Sequence, residues 1–313
     1  MNKIIKLRHI ALIITVVIIA IGMAVGTICH FVSNGFFNYG DEFASYKSVT
    51  VTTSVPEDVS GNAAKSIAQD ALSSLGAYEV SFSQGTGHTP NTVIYKFYTS
   101  VSDESLSSAV DALEQAFDEQ GLEDATAVFN VNTSVPEGLH QLNFFAIAIA
   151  SAVVFQAIYF AIRYKIGMAL SSLGTQLAAV GVYASLLAIT RCPVGLEAIA
   201  FAALTVVITM ICNGVLFDKI KKSYKDEANA KVENLALITE SAQATWKTGA
   251  IICAAAVIAI VVFGIFAVIA SPSAATLAPF AASIISVLAA AYASEVFAPA
   301  TYSLINAMDR RVK

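Results

Sequence analysis

Residues 142–162 read LNFFAIAIASAVVFQAIYFAI, an unbroken run with no charged residue that ends abruptly at Arg163. As a helix rising 1.5 Å per residue, a run of about 20 apolar residues crosses roughly 30 Å, the thickness of the hydrocarbon core of a bilayer. Working outward, five more stretches have the same character: 10–32, 168–190, 194–217, 249–270 and 279–305. Each is too long and too continuous for a core helix of a soluble protein. The first follows Lys3, Lys6 and Arg8 and superficially resembles a signal peptide. Its apolar run of about 20 residues exceeds the roughly 7–15 of a signal h-region, so it reads as an uncleaved anchor. Bulky Ile28 beside Cys29 argues against lipoprotein processing.

Composition agrees. The chain is 56% hydrophobic and 13% charged with a mean hydropathy of +0.68, whereas soluble domains carry about 25% charged residues. The charge is also segregated. Residues 33–140 hold 15 Asp and Glu against Lys47, Lys65 and Lys96, a net charge near −12. One acidic, soluble segment is therefore set in an apolar chain, and its charge excludes nucleic acid or anionic lipid as its partner.

Placing the N-terminus in the cytoplasm and alternating the six spans leaves 14 of the 18 Lys and Arg inside, with Lys47, Lys65, Lys96 and Arg191 outside. The positive-inside rule thus sets both termini in the cytoplasm and residues 33–140 outside it. The expected organisation is 1–32 for the N-terminus and first span, 33–140 for an extracytoplasmic domain, and 141–313 for spans two to six. A cytoplasmic loop occupies about 218–248. Cys29, Cys192, Cys212 and Cys253 lie in or beside spans and show no metal spacing; they read as small apolar helix residues, with a Cys29–Cys192 bridge at the outer face as the alternative.

The exported segment alternates strands and helices. Tyr46–Ser54 is Val- and Thr-rich with period two; Ser60–Gly76 places Ala64, Ile67, Ala68, Ala71, Leu72 and Leu75 on one helical face and stops at Gly76. Tyr78–Ser83, a turn at Gly85–Gly87, and Thr92–Thr99 follow. A second helix opens at Ser102 with Ser105 in the capping position and runs to Gly121, and Ala125–Val131 closes the series. The order βαββαβ is that of a ferredoxin-like domain. TSVPE occurs twice, at 53–57 and 133–137, each time after an outer strand.

No catalytic set is visible in it. His88 and His140 lack a Cys or carboxylate cluster at ligand spacing, Gly85-x-Gly87 does not join a strand to a helix as a phosphate loop must, and Asp118, Glu119, Glu123 and Asp124 lack EF-hand spacing. An enzyme, a metal and an organic cofactor are all disfavoured. A hydrophobic lining of this domain would suit lipid cargo; a polar strand face would suit polypeptide.

One span, a large exported βαββαβ domain and five closely spaced spans is the plan of one half of the resistance-nodulation-division transporters and of their export relatives, SecD and SecF. The sequence resembles SecF at Tyr159-x-x-x-Arg163-Tyr164, similar to the family's Y-x-x-x-R-F ending the second span. It does so again at Phe217-Asp218-Lys219-Ile220-Lys221, similar to F-D-R-I-R ending the fourth. Tyr292-Ala293-Ser294 and Ala298-Pro299 resemble the family's Y-S-S-I-F-I-A-S-P in the last span. The resemblance implies an accessory subunit of the Sec translocon. It would pair with a SecD-like subunit beside the SecYEG channel, act on exported polypeptides and draw on the proton-motive force. A half-transporter exporting lipid or small molecules is the alternative.

The resemblance breaks where the family keeps its intramembrane acids. Its H-D of the third span falls on Ala178-Ala179 and its N-D of the fourth on Ile211-Cys212, with Asn213 just beyond; G-L-D-F-x-G-G survives only as Gly40–Ser45. The acids left at membrane depth are Glu197, near the outer end of the fourth span, and Glu295, 16 residues into the sixth. An intramembrane acid is costly and marks function. Glu295, Glu197 and Asn213 are therefore the proton-relay candidates, with Gln156, Gln176 or Asn213 as the expected hydrogen-bond partners of a neutral Glu295. Tyr159, Arg163, Asp218, Lys219, Tyr292 and Ser294 are the family-like positions.

Overall fold

A computed structural model describes residues 8–33, 36–39, 46–53, 59–77, 79–83, 91–97, 101–122, 125–132, 135–229, 232–270, 274–306 and 309. The chain divides into two compact units, residues 41–139 and a second formed by 1–40 with 140–313.

The smaller unit runs β2 (Tyr46–Thr53), α2 (Val59–Ser73), β3 (Glu79–Ser83), β4 (Asn91–Phe97), α3 (Asp103–Glu119) and β5 (Thr126–Asn132). All pairings are antiparallel and the sheet order is β3-β4-β2-β5. The alternation foreseen in the strands sets the core: Val49 and Val51, Tyr95 and Phe97, and Ala127 point inward, against Ala64, Ala68 and Leu72 of α2 and Leu106, Leu113 and Phe117 of α3. Helix α3 starts where the sequence asks. Ser102 Oγ accepts the Ser105 amide at 3.1 Å, and Asp103 and Glu104 in the first turn favour the positive end of the helix dipole. Gly76 and Gly121 follow the two helices at φ +82° and +69°, a conformation that only glycine adopts without strain. The turn at 85–87, His88, Glu123, Asp124 and residues 40–45 lie outside the described residues, as does the side chain of His140.

The larger unit holds α1 (Arg8–Ser33), β1 (Asn38–Tyr39), α4 (Val135–Arg163), α5 (Ile166–Thr190), β6 (Pro193–Val194), α6 (Leu196–Lys225) and α7 (Asn234–Ala270). The last span consists of α8 (Ala274–Tyr292), a π-helical turn (Ala293–Phe297) and α9 (Ala298–Ile305). Among the described residues, six helical segments are long and apolar enough to cross a membrane. Helix α6 runs on to Lys225 and α7 begins at Asn234, so the connection between them is short and contains one 3-10 turn, Glu227–Asn229.

Small residues and hydroxyls bring the helices together, as lipid-embedded packing requires. A Cβ on Gly22 of α1 would collide with Ser185 of α5. Tyr183 Oη donates to Ala198 O at 2.7 Å, and Ser171 Oγ to Ala298 O at 3.3 Å. Tyr292 Oη donates to Ala11 O at 3.2 Å and lies 2.9 Å from Thr15 Oγ1, tying α8 to α1. The segment after α1 is strapped to the α5–α6 turn by the parallel β1–β6 pair. Arg191 sits there at φ +52°, held by Asn38 Nδ2 donating to its carbonyl and by its own guanidinium donating to Phe36 O, both at 3.1 Å. None of Cys29, Cys192, Cys212 and Cys253 is in a disulfide, so the alternative Cys29–Cys192 bridge is not formed.

Candidate functional site

The motifs around Arg163 and Asp218 converge at one end of the bundle. Arg163, closing α4, faces Asp218 of α6 at 3.5 Å, and Asp218 also pairs with Lys222 at 3.5 Å. The guanidinium lies over the rings of Tyr159 and Tyr164 (5.9 and 5.4 Å to the centroids). Beneath these ions is an aromatic knot: Phe160 packs edge-on to Tyr164 and Phe217, and Phe217 to Tyr302 of α9. Burial pushes the Tyr164 phenol above its ordinary pKa, and it donates to Gly214 O at 3.3 Å. Phe160, Phe217 and Tyr302 are fully buried while Lys219 points into the surroundings. The two motifs therefore join α4, α6 and α9 by packing, with the ions as a half-exposed rim. Asp309 caps the same end: its carboxylate accepts the amides of Gly167 (2.8 Å) and Met168 (3.0 Å) at the start of α5, and Lys165 donates to its carbonyl. Nothing in the sequence pattern marked Asp309 as a cap, because it lies more than 140 residues from the amides it serves.

Deeper in the bundle the amides group together, away from Glu295. Gln156 Nε2 donates to Ser172 Oγ at 2.9 Å, Asn213 Nδ2 to the same oxygen at 3.3 Å, and Gln176 Nε2 to Gln156 Oε1. All four residues are buried, and among the described residues Gln176 Oε1 and Asn213 Oδ1 have no partner. The expected pairing of Glu295 with one of these amides is thus replaced by a cluster spanning α4, α5 and α6. The reason is angular: Asn213 turns toward α5, while its neighbour Cys212, about 100° around the helix, turns toward α7 and the last span.

Glu295 occupies the π-helical turn, half-buried, with its carboxylate against Gly249 of α7, where a Cβ would overlap Oε1. The turn has a sequence cause. Pro299 cannot donate to the carbonyl four residues back and its ring crowds it, so the helix widens, and the Ala298 amide reaches back five residues to Ala293 O. A π turn inside an α-helix is a frequent mark of a functional position. A cavity of about 10 Å³ opens there, lined by Cys212, Val215, Leu216, Ala242, Thr245, Gly249, Ser294, Glu295 and Pro299. That volume is on the order of one water molecule. No lining residue is basic. Ser294 Oγ bonds Ala290 O at 2.7 Å.

Glu197 does not join this site. It is exposed in the first turn of α6, where the helix dipole suits a carboxylate; fifteen residues separate it from Cys212, about 22 Å along the helix. Among the described residues no group of three or more His, Cys, Asp and Glu could hold a metal ion. Gly249 and the π turn escaped sequence reading, though a proline four residues after an intramembrane acid was the available signal.

Against known proteins, residues 113–306 match the family model described as protein export membrane protein SecD/SecF, C-terminal. Two solved structures share the fold. A SecDF crystal structure in its super-membrane-facing form aligns with TM-score 0.55 at 15% identity, covering 96% of this chain and 38% of that one. SecDF from Thermus thermophilus, described as a translocon-associated membrane protein, aligns with TM-score 0.59 at 16% identity, covering 97% and 38%. This chain therefore spans 38% of the length of those it resembles. No curated protein matches it.

Proposed function

We propose, since this chain belongs to the family of protein export membrane proteins SecD/SecF, that it is a divergent SecF-like accessory subunit of the Sec translocon. In this reading it works with a SecD-like subunit at the SecYEG channel to move or release exported polypeptides. The observation that carries this is the family match running from α3 through the last span, on a chain that aligns over 97% of its length with 38% of SecDF. The smaller unit is the extracytoplasmic part and both termini are cytoplasmic, as the distribution of basic residues supports. Its antiparallel β3-β4-β2-β5 order supports the ferredoxin-like reading. On the outward strand face Thr50, Thr52, Thr92, Thr126 and Asn130 surround the apolar pair Ile94 and Val128, a mostly polar surface that suits polypeptide better than lipid as cargo.

Glu295 is the intramembrane acid of this subunit, taking up and releasing a proton in place of the carboxylates missing at Ala178-Ala179 and Ile211-Cys212. Glu197 serves as a water-facing acid at the far end of α6, and Asn213 as part of the buried amide cluster. Affinity purification of the chain from its native membrane in mild detergent, with partners identified by mass spectrometry, tests the assignment. Recovery of a SecD-like subunit with the translocon channel is expected. Recovery instead of a second transporter half, or of lipid-handling proteins, would replace it with the half-transporter reading.

A further inference from the structure

The end of the bundle around Arg163 carries more positive charge than its own acid balances. Residues 159–165 and 217–225 together hold six bases, Arg163, Lys165, Lys219, Lys221, Lys222 and Lys225, against one acid, Asp218. Two of the bases serve the backbone: Lys165 donates to Asp309 O and Lys221 to Arg163 O. Arg163 and Lys222 share Asp218, one on each carboxylate oxygen, both at 3.5 Å. Charge-assisted hydrogen bonds run at about 2.7–2.9 Å, so these longer contacts position the two cations without saturating them. Their side chains are 49% and 77% exposed. Lys219, three residues before Lys222 and so beside it on α6, is exposed as well.

Below these cations the surface is apolar. Phe155, Tyr159 and Arg163 follow one another at four-residue steps and so form a single stripe along α4. Phe155 and Tyr159 are exposed, as is Ile162 beside them. The charge-free run 142–162 stops at Arg163, which sets the guanidinium at headgroup depth and the stripe among acyl chains. The Tyr159 and Tyr164 rings under the guanidinium hold its plane in place, which lowers the cost of ordering it around an anion. A free anion would use the cations and leave the stripe idle, and an acidic peptide would not follow the stripe into the hydrocarbon. A molecule that matches both has an anion at one end and hydrocarbon at the other.

We propose that Arg163, Lys222 and Lys219 hold the phosphate of an anionic glycerophospholipid whose acyl chain lies along Phe155 and Tyr159. Arg163 supplies a planar fork that suits two phosphate oxygens at once. Lys222 brings the second charge to the same point, because both cations are tethered to one carboxylate. Lys219 adds a third at the rim. A headgroup with net negative charge, such as that of phosphatidylglycerol, fits this cluster, whereas the choline of phosphatidylcholine would set a cation among cations. Asp218 competes with the phosphate for the same two side chains and keeps the lipid exchangeable.

The test is native mass spectrometry of the full chain, purified in detergent and incubated with equal amounts of phosphatidylglycerol and phosphatidylcholine of identical acyl chains. The wild type is expected to retain phosphatidylglycerol in at least about fivefold excess, the factor that one basic residue contributes at an anionic surface. Arg163→Gln combined with Lys222→Gln keeps much of both stems and should bring the two lipids to parity. Asp218→Asn should raise the excess, since it removes the competing carboxylate; a purely structural role for the ion pairs would not. Equal retention of the two lipids by the wild type, or an unchanged excess in the double variant, overturns the site. Displacement of phosphatidylglycerol by inorganic phosphate in large excess would make this a site for free anions and overturn the lipid assignment. Should the double variant fail to fold, the wild-type comparison and Asp218→Asn still decide.

Discussion

Substituting Gly249 by alanine separates the function of Glu295 from the stability of the bundle. The new methyl would land on Glu295 Oε1, the free end of a flexible side chain, so the carboxylate moves and the helices stay. Overpacking costs about 1–3 kcal/mol, and replacing glycine by alanine inside a helix returns about 1 kcal/mol. The net change is small, a shift of the unfolding temperature within about 2–4 °C per kcal/mol remaining. Activity behaves differently, because the carboxylate is expelled from its cavity. The assay is the rate at which a pulse-labelled reporter is exported from cells that depend on this chain. Gly249→Ala is expected to slow export at least about fivefold, equivalent to about 1 kcal/mol. Glu295→Gln should lose as much, and the double variant should be no worse than either single change, since neighbours acting through one contact are not additive. Full export by Gly249→Ala, or losses that multiply in the double variant, would refute the reasoning.

Removing the Asp309 carboxylate strands two backbone amides of α5, so Asp309→Ala should destabilise the chain by about 1–2 kcal/mol, read as a lowered unfolding temperature in detergent. In the Phe217-Asp218-Lys219 motif, Phe217→Ala should cost about 3–5 kcal/mol by emptying the aromatic knot, while Asp218→Asn should leave the unfolding temperature within scatter because its ion pairs are solvated. In the smaller unit Phe117, fully buried among Leu106, Leu113 and the strands, should cost about 3–5 kcal/mol on conversion to alanine. Limited proteolysis of the full chain checks this as earlier cleavage within 41–139.

Much of this fold was legible because its determinants are local. A charge-free run such as 142–162 needs nothing beyond its own length to declare a span, and Ser102 with Ser105 announces the start of α3 by side-chain chemistry within one turn. Val49, Val51, Tyr95 and Phe97 could be assigned inward by strand period alone. The site was legible in part. Glu295 stood out as an acid in an apolar run, but the partners expected for it turn elsewhere: Gln156 and Asn213 bond Ser172 and Gln176 bonds Gln156, a matter of helix rotation that sequence spacing alone does not fix. Gly249 and the Asp309 cap depend on contacts across 46 and 142 residues, and no periodicity carries such information. The π turn was encoded locally in Pro299, since a proline removes the donor for the carbonyl four residues before it.

Export kinetics in cells depleted of this chain and then resupplied with it bear most directly on its place in the Sec translocon. The account predicts that depletion slows the release of a pulse-labelled secretory protein on the far side of the membrane, and that the wild-type chain, but not Glu295→Gln, restores it. Unchanged release, accompanied by a defect in the efflux of lipid or a small molecule, would contradict it.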